Sequence, residues 1–306
     1  MSKASDTRAS LAQYAWLSIG AAVATIALKS GAYYLTGSVG ILSDAMESLV
    51  NLAGAIIALI MLTIAARPPD DEHAFGHGKA EYFASGAEGA MILVAALSIG
   101  YAAVDRLFHP QALEQVGLGL AVTLVATLIN LISALIIRRA GKIHHSVTLD
   151  ANSRHLMTDV WTSAGVIAAV GIVAVSKLQF LDSVVALVVA ANIVREGYKI
   201  VRDSILGLMD TSISHDENAR IRDVLDGFRS EQVAYHALRT RQAGRRRFVS
   251  VHILVPGDWT VHRGHEMLER IEADLHAVIP NLSILTHLES LEDPASWNDI
   301  ELDRAN

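Results

Sequence analysis

Six apolar stretches, each long enough for a helix to cross a lipid bilayer, set the strongest limit on what this chain can fold into. A hydrocarbon core roughly 30 Å thick takes about 20 residues of helix. The stretches run from Leu11 to Leu35, Val39 to Ala65, Ala84 to Leu107, Val116 to Ile137, Leu156 to Ser176 and Leu181 to Val201. Lipid offers no partner to a free backbone N–H or C=O, so each stretch is expected to be an α-helix. Lys3 and Arg8 ahead of the first run also fit a signal peptide, but the run is longer than a signal h-region and further spans follow it.

Composition agrees with lipid as the solvent. Hydrophobic residues make up 52% of the 306 positions, charged residues 19%, and the mean hydropathy is +0.35. The apolar excess ends near residue 206, which divides the chain into a membrane domain, 1–206, and a soluble domain, 207–306, ending in a flexible tail. A net charge of -7 without a basic stripe excludes the electrostatic footprint of a nucleic-acid binder. The absence of cysteine removes disulfides and thiolate metal sites, so any bound metal is held by histidine, carboxylate or amide oxygen.

Charge in the short loops predicts orientation. With the N-terminus inside, cytoplasmic loops carry Arg67, Lys79, Arg138, Arg139, Lys142 and Arg154, whereas the outer loops carry Arg106 and Lys177. Both termini are then cytoplasmic. In the soluble part, Asp216 to Phe228 and Glu266 to Ala277 have helical periodicity, while Ala234 to Thr240, Arg247 to Val255 and Ser283 to Glu289 alternate like strands. That order predicts a small α+β domain with helices on one face of a short sheet.

Ionisable groups inside a span are costly and mark functional sites. On the second span Asp44, Glu47 and Asn51 fall on one helical stripe, and on the fifth span His155 and Asp159 are a turn apart. Carboxylate, amide and imidazole ligands together suit a borderline divalent ion such as zinc, iron(II) or cobalt. Taken singly, the same residues also fit a helix cap, an interhelical hydrogen bond and an interface histidine. A second group, Asp70, Asp71, His73 and His77, lies in a loop constrained by Pro68, Pro69, Gly76 and Gly78. The alternative there is a polar loop facing water.

The run His73-Ala74-Phe75-Gly76-His77-Gly78-Lys79-Ala80-Glu81, the pair His155/Asp159, the six-span layout and the stretch from His236 to Arg241 resemble the cation diffusion facilitator family, in particular its bacterial YiiP-like members. The resemblance covers nearly the whole chain. It implies an inner-membrane homodimer with a ferredoxin-like, metallochaperone-like cytoplasmic domain, exporting zinc or a similar divalent ion (iron(II), cobalt, cadmium or manganese) in exchange for protons by alternating access.

The resemblance further implies three metal sites. A transport site falls on Glu47, Asn51, His155 and Asp159, a loop site on Asp70, His73 and His77, and a cytoplasmic interface site on His236, His252, His265, His287 and Glu289. Zinc would be substrate at the first and a structural ligand elsewhere. The second span departs from the family pattern, with Glu47 and Asn51 where two aspartates, or a histidine and an aspartate, are usual. Lys79 and Asp210 match a family ion pair. Asp44 ranks below Glu47, as an outer ligand or an access-path carboxylate, and His144, His145, His215, His262 and His276 have no family counterpart. Two other classes fit a metal-binding membrane chain: a membrane metalloenzyme, against which stands the lack of an H-E-x-x-H or G-x-S-x-G motif, and an anchored metal sensor, against which stand the intramembrane charges.

Overall fold

The computed structural model describes residues 2–36, 39–109, 116–176 and 180–298; the side chains of 2–10, 35–47, 50, 106, 116–120, 166–182 and 185 lie outside that description. The chain divides into two compact units, Met1–Ile205 and Leu206–Asn306.

Among the described residues the regular structure of the first unit is all helix: α1 (Ser2–Thr36), α2 (Val39–Ala65), α3 (Ala80–Phe108), α4 (Val116–His144), α5 (Val147–Ser176) and α6 (Phe180–Leu208). Among the described residues, three stretches are long and apolar enough to cross a membrane: Leu11–Tyr34, Ala80–Asp105 and Ala121–His144. A shorter apolar helix spans Asn51–Ala65. Several helices outrun their apolar stretches. Helix α5 begins at Val147 rather than Leu156 because its first turns, although polar, are packed inside the bundle: Thr148, Asn152 and Ser153 are all buried. Apolarity reports contact with lipid, and these turns contact protein instead.

Helix α1 packs on α2 and α4, α4 on α5, and α3 on both α2 and α5. One apolar cluster joins α1, α2, α4 and α5 through Leu11, Leu62, Ile137, Leu149 and Leu156. A second, with Ile92, Ala96, Ile193 and Ile200, joins α3 to α6. The approach of α3 to α6 depends on Gly89, where a Cβ would lie 2.8 Å from Val201 Cγ2 and 3.1 Å from the Val201 backbone nitrogen. Ser204 of α6 donates to the Tyr82 carbonyl beside it.

The second unit is α+β. Helix α7 (His215–Gly227) is followed by β1 (Ala234–Ala243), β2 (Arg246–Val255), α8 (Val261–Val278) and β3 (Leu282–Ser290). The sheet order is β1-β2-β3, with β1 antiparallel and β3 parallel to β2. Helix α7 starts where Ser214 and Glu217 form a reciprocal capping box, and α8 starts at Thr260, whose hydroxyl accepts from the Arg263 N–H. The α8 cap lies upstream of the apolar periodicity, so the helix is longer than the Glu266–Ala277 expected from that periodicity.

Alternation along the strands sends Val249, Val251, Ile253 and Val255 of β2 into a core with Ile221, Leu225, Ile271 and Leu275 from the two helices. The intervening residues, including His252, face away from that core. In β1 a bulge between His236 and Arg239, with Ala237 at φ 49°, inserts one residue and keeps His236 and Arg239 on the same face.

Candidate functional site

Within the first unit, α2, α4 and α5 bring four polar side chains together. The Asn51 amide nitrogen donates to Asp159 Oδ2 at 2.5 Å, and the Asn51 oxygen lies 2.5 Å from His155 Nε2. Asn130 of α4 donates to the same Asp159 oxygen at 3.3 Å. Asn51, Asn130 and His155 are buried. A cavity of about 450 Å³ opens beside them, lined by Asn51, His155, Thr158 and Asp159 and by Met91, Ser98 and other residues of α3.

The structure therefore unites Asn51, His155 and Asp159. Glu47 and Asp44 lie on α2, with side chains outside the described residues. Asn130 was not anticipated. Its signal in the sequence is a lone amide in the apolar run Leu128-Ile129-Asn130-Leu131-Ile132, the kind of polar group that lipid makes costly unless it is bonded. The set offers one carboxylate, one imidazole and amide oxygens around one space, a mixed nitrogen and oxygen environment suited to a borderline divalent ion.

The loop after α2 gathers its predicted ligands. Asp70 Oδ1 lies 3.1 Å from His73 Nδ1, and Asp70 Oδ2 lies 3.3 Å from His77 Nε2. The two imidazole rings are 4.4 Å apart, and Gly76 at φ 83° makes the turn between them. Partial burial works to raise Asp70, but the His73 N–H, the His73 ring and the His77 ring outweigh it and hold the carboxyl below the ordinary value of 3.8. Ligand atoms of Asp70, His73 and His77 all fall within 4.8 Å of one another. Lys79 stands at the N-terminus of α3. Glu81, two residues on, is buried and accepts from Ser146 Oγ at 2.5 Å and the Thr148 N–H at 3.4 Å, joining the start of α3 to the start of α5.

In the second unit the register aligns His236, His252 and His287 in a row across all three strands. Glu289 follows His287 by two residues and so shares its face. Its carboxylate lies 2.7 Å from His236 Nε2, 3.4 Å from His252 Nδ1 and 3.5 Å from His287 Nε2. His236, His252 and Glu289 have ligand atoms within 4.8 Å of one another. His287 is 61% exposed at the edge of this group. His265 stands apart on α8, exposed and 3.8 Å from Glu269. Trp297 packs near His236, with ring centroids 5.7 Å apart. Asp210, at φ 58°, accepts from Arg241 at 3.0 Å.

Sequence comparison adds an independent line. Residues 15–209 match the family model described as the cation efflux transmembrane domain, and residues 213–291 match that of the cation efflux protein cytoplasmic domain. The chain is 52% identical over 284 residues to an uncharacterized transporter, sll1263, of Synechocystis sp., covering 93% of this chain and 92% of the relative. It is 31% identical over 291 residues to the cation-efflux pump FieF of Serratia proteamaculans, covering 93% and 95% of the two chains. The FieF pump of Yersinia pestis (strain Pestoides F) is similar at 30% over 293 residues, with 93% and 95% covered. A helical transmembrane domain followed by a cytoplasmic domain, in a chain that resembles transporters from end to end, leaves no place for the metalloenzyme and anchored-sensor readings. The chain belongs to the cation efflux, or cation diffusion facilitator, family and is a membrane-integral transporter rather than an enzyme.

Proposed function

We propose that the protein exports a divalent transition-metal ion, zinc first among the candidates, from the cytoplasm in exchange for protons, working as a homodimer with six spans per protomer and both termini cytoplasmic. The observation that carries this reading is the convergence of Asn51, His155 and Asp159 beside a cavity in the helical unit. Such groups are costly in a membrane interior, and a cation passing through is what repays their presence there.

An entering ion would exchange the hydrogen bonds among Asn51, His155 and Asp159 for coordination, with Glu47 one turn earlier on α2 as the fourth ligand. Asn130 then acts on the carboxylate from outside, holding one Asp159 oxygen in place as the ion comes and goes. Metal ligands bind in their deprotonated forms, so loading the site releases protons, and proton uptake on the opposite side releases the metal. That linkage is the physical basis of antiport.

The loop group Asp70, His73 and His77 and the sheet group His236, His252 and Glu289 are read as metal sites that shape the dimer rather than carry the substrate. Each has the ligand types and spacing that zinc accepts. The second unit's match to the dimer-type cytoplasmic domain of cation efflux proteins supports self-association.

The test is a panel of metals presented to the purified protein in sealed proteoliposomes, each with and without an imposed pH gradient. Zinc should accumulate against its gradient when the pH difference opposes it in sign, and collapse of the pH difference should stop accumulation. Metal flux indifferent to the pH gradient would remove proton exchange from the mechanism.

A further inference from the structure

Glu88 lies on α3, outside the group formed by Asn51, Asn130, His155 and Asp159, and is only 1% exposed. Its Oε1 accepts from the Asn152 amide at 2.8 Å, and the Asn152 oxygen accepts from Ser18 Oγ at 3.0 Å. This links α3, α5 and α1 through side chains that are all buried. The other carboxyl oxygen, Oε2, is buried without a hydrogen-bond partner among the described residues.

Among the described residues, what surrounds the carboxyl is neutral. Helix α1 presents Ser18 through Asn152, α5 presents Asn152 itself, and α2 presents Gly54, where a Cβ would lie 3.8 Å from Glu88 Oε1. Among the described residues no lysine, arginine or histidine pairs with Glu88, and Asn152 is the sole side chain acting on it. An ionised carboxylate in such a place is strongly disfavoured without a positive partner, and one amide does not offset that. A divalent ion would need several more ligands and room for them, and Glu88 does not line the neighbouring cavity. A proton needs neither.

Placement connects this carboxyl to the transport site. Helices α3 and α5 run side by side in the same direction: Glu81 takes Ser146 and Thr148, and seven residues later Glu88 takes Asn152. Asn152 precedes His155 by three residues and Asp159 by seven, so the three share one stripe of α5. The Glu88–Asn152 pair is thus a layer between the ends of α3 and α5 nearest the Glu81 junction and the His155/Asp159 layer.

We propose that Glu88 is a proton-carrying carboxyl of the transport cycle, coupled to the metal site through Asn152. Movement of α5 as His155 and Asp159 engage the ion carries Asn152 with it and alters its bond to Glu88 Oε1. Once water reaches Oε2, the O–H bond breaks, the proton leaves as hydronium and the carboxylate keeps the electron pair. The reverse transfer, on the other face of the membrane, restores the neutral acid. This rests on the proton-antiport reading above.

The experiment uses the full-length protein in proteoliposomes with zinc and pH indicators, comparing wild type, Glu88→Gln and Glu88→Asp. Glutamine keeps an acceptor for Asn152 but carries no exchangeable proton. The protons moved per zinc should fall in Glu88→Gln and return in Glu88→Asp, while downhill zinc flux persists in both. An unchanged ratio in a folded Glu88→Gln protein overturns the proposal. Zinc flux with no proton movement in wild type overturns the antiport reading and this proposal with it, and that result is visible in the wild-type arm alone. Should Glu88→Gln fail to fold, infrared difference spectra on zinc addition replace it: a protonated-carboxyl band that changes in wild type should shift in Glu88→Asp, and a band identical in the two overturns the assignment.

Discussion

Asn51, His155 and Asp159 could be chosen from the sequence because each is a polar group in a stretch otherwise made for lipid, and the spacing of His155 and Asp159 puts them on one stripe of α5. Asn130 and Glu88 meet the same criterion but stand out less, since neither has an ionisable or amide neighbour three or four residues away in its own span. Their partners come from other helices: Asp159 for Asn130 and Asn152 for Glu88. Pairing across helices is a property of packing, and no single-helix pattern contains it. In the soluble unit the same holds for Glu217, which forms a buried ion pair with Arg247 at 2.9 Å while capping α7 with Ser214. Burial works to raise the Glu217 carboxyl, but the Ser214 hydroxyl and the Arg247 guanidinium outweigh it and hold it below its ordinary value near 4.5. The stability this pair contributes is therefore present above about pH 4.5 and lost as the pH falls through the lower, folded-state value. Glu217→Gln, leaving Arg247 buried without its partner, should cost about 3 kcal/mol at neutral pH, and the deficit should shrink on acidification. Urea melts of the soluble unit at several pH values would show this, and a deficit constant across pH would contradict it.

At the scale of elements, the apolar runs located the helices but not their ends. Runs report which turns touch lipid, whereas α5 and α3 start with polar turns buried against one another, joined by Glu81, Ser146 and Thr148. In the soluble unit the three strands were legible from alternation, but their order in the sheet and the bulge at Ala237 were not. That bulge decides the site, because without its extra residue His236 and Arg239 would fall on opposite faces. His265 shows the opposite limit: its match to the family motif places it among the ligands, while α8 carries it away from the row formed by His236, His252 and His287. The α3–α6 contact makes its own prediction. Gly89→Val adds volume where even a Cβ would meet Val201 side chain and backbone. It should lower the stability of the purified protein by about 1–3 kcal/mol, read as a lower melting temperature in detergent, and an unchanged melt would show that α6 is not held at this distance.

At the scale of the whole molecule, the chain joins a transporting unit to a soluble unit with its own core and its own ligand group. A small domain gains noticeably from a bound ion, since an ion that binds the folded state alone stabilises it by mass action. With zinc at about a hundred times its dissociation constant, the soluble unit from residue 206 onward should gain about 2.7 kcal/mol, or about 10 °C in melting temperature. Replacing His252 and His287 together with alanine should remove most of that gain, and identical melts with zinc and with chelator would make these histidines ordinary surface groups.

The most direct measurement of transport through the His155/Asp159 layer is zinc flux into proteoliposomes by Asp159→Asn, which keeps the shape of the side chain and removes its charge. With the carboxylate gone, the site loses a ligand charge and the group that both Asn51 and Asn130 hold in place. Flux should fall at least about tenfold, the equivalent of about 1.4 kcal/mol, in a protein whose melting temperature and dimer content match wild type. Wild-type flux from that folded variant would contradict the assignment of Asp159 and, with it, the placement of the transport site between α2 and α5.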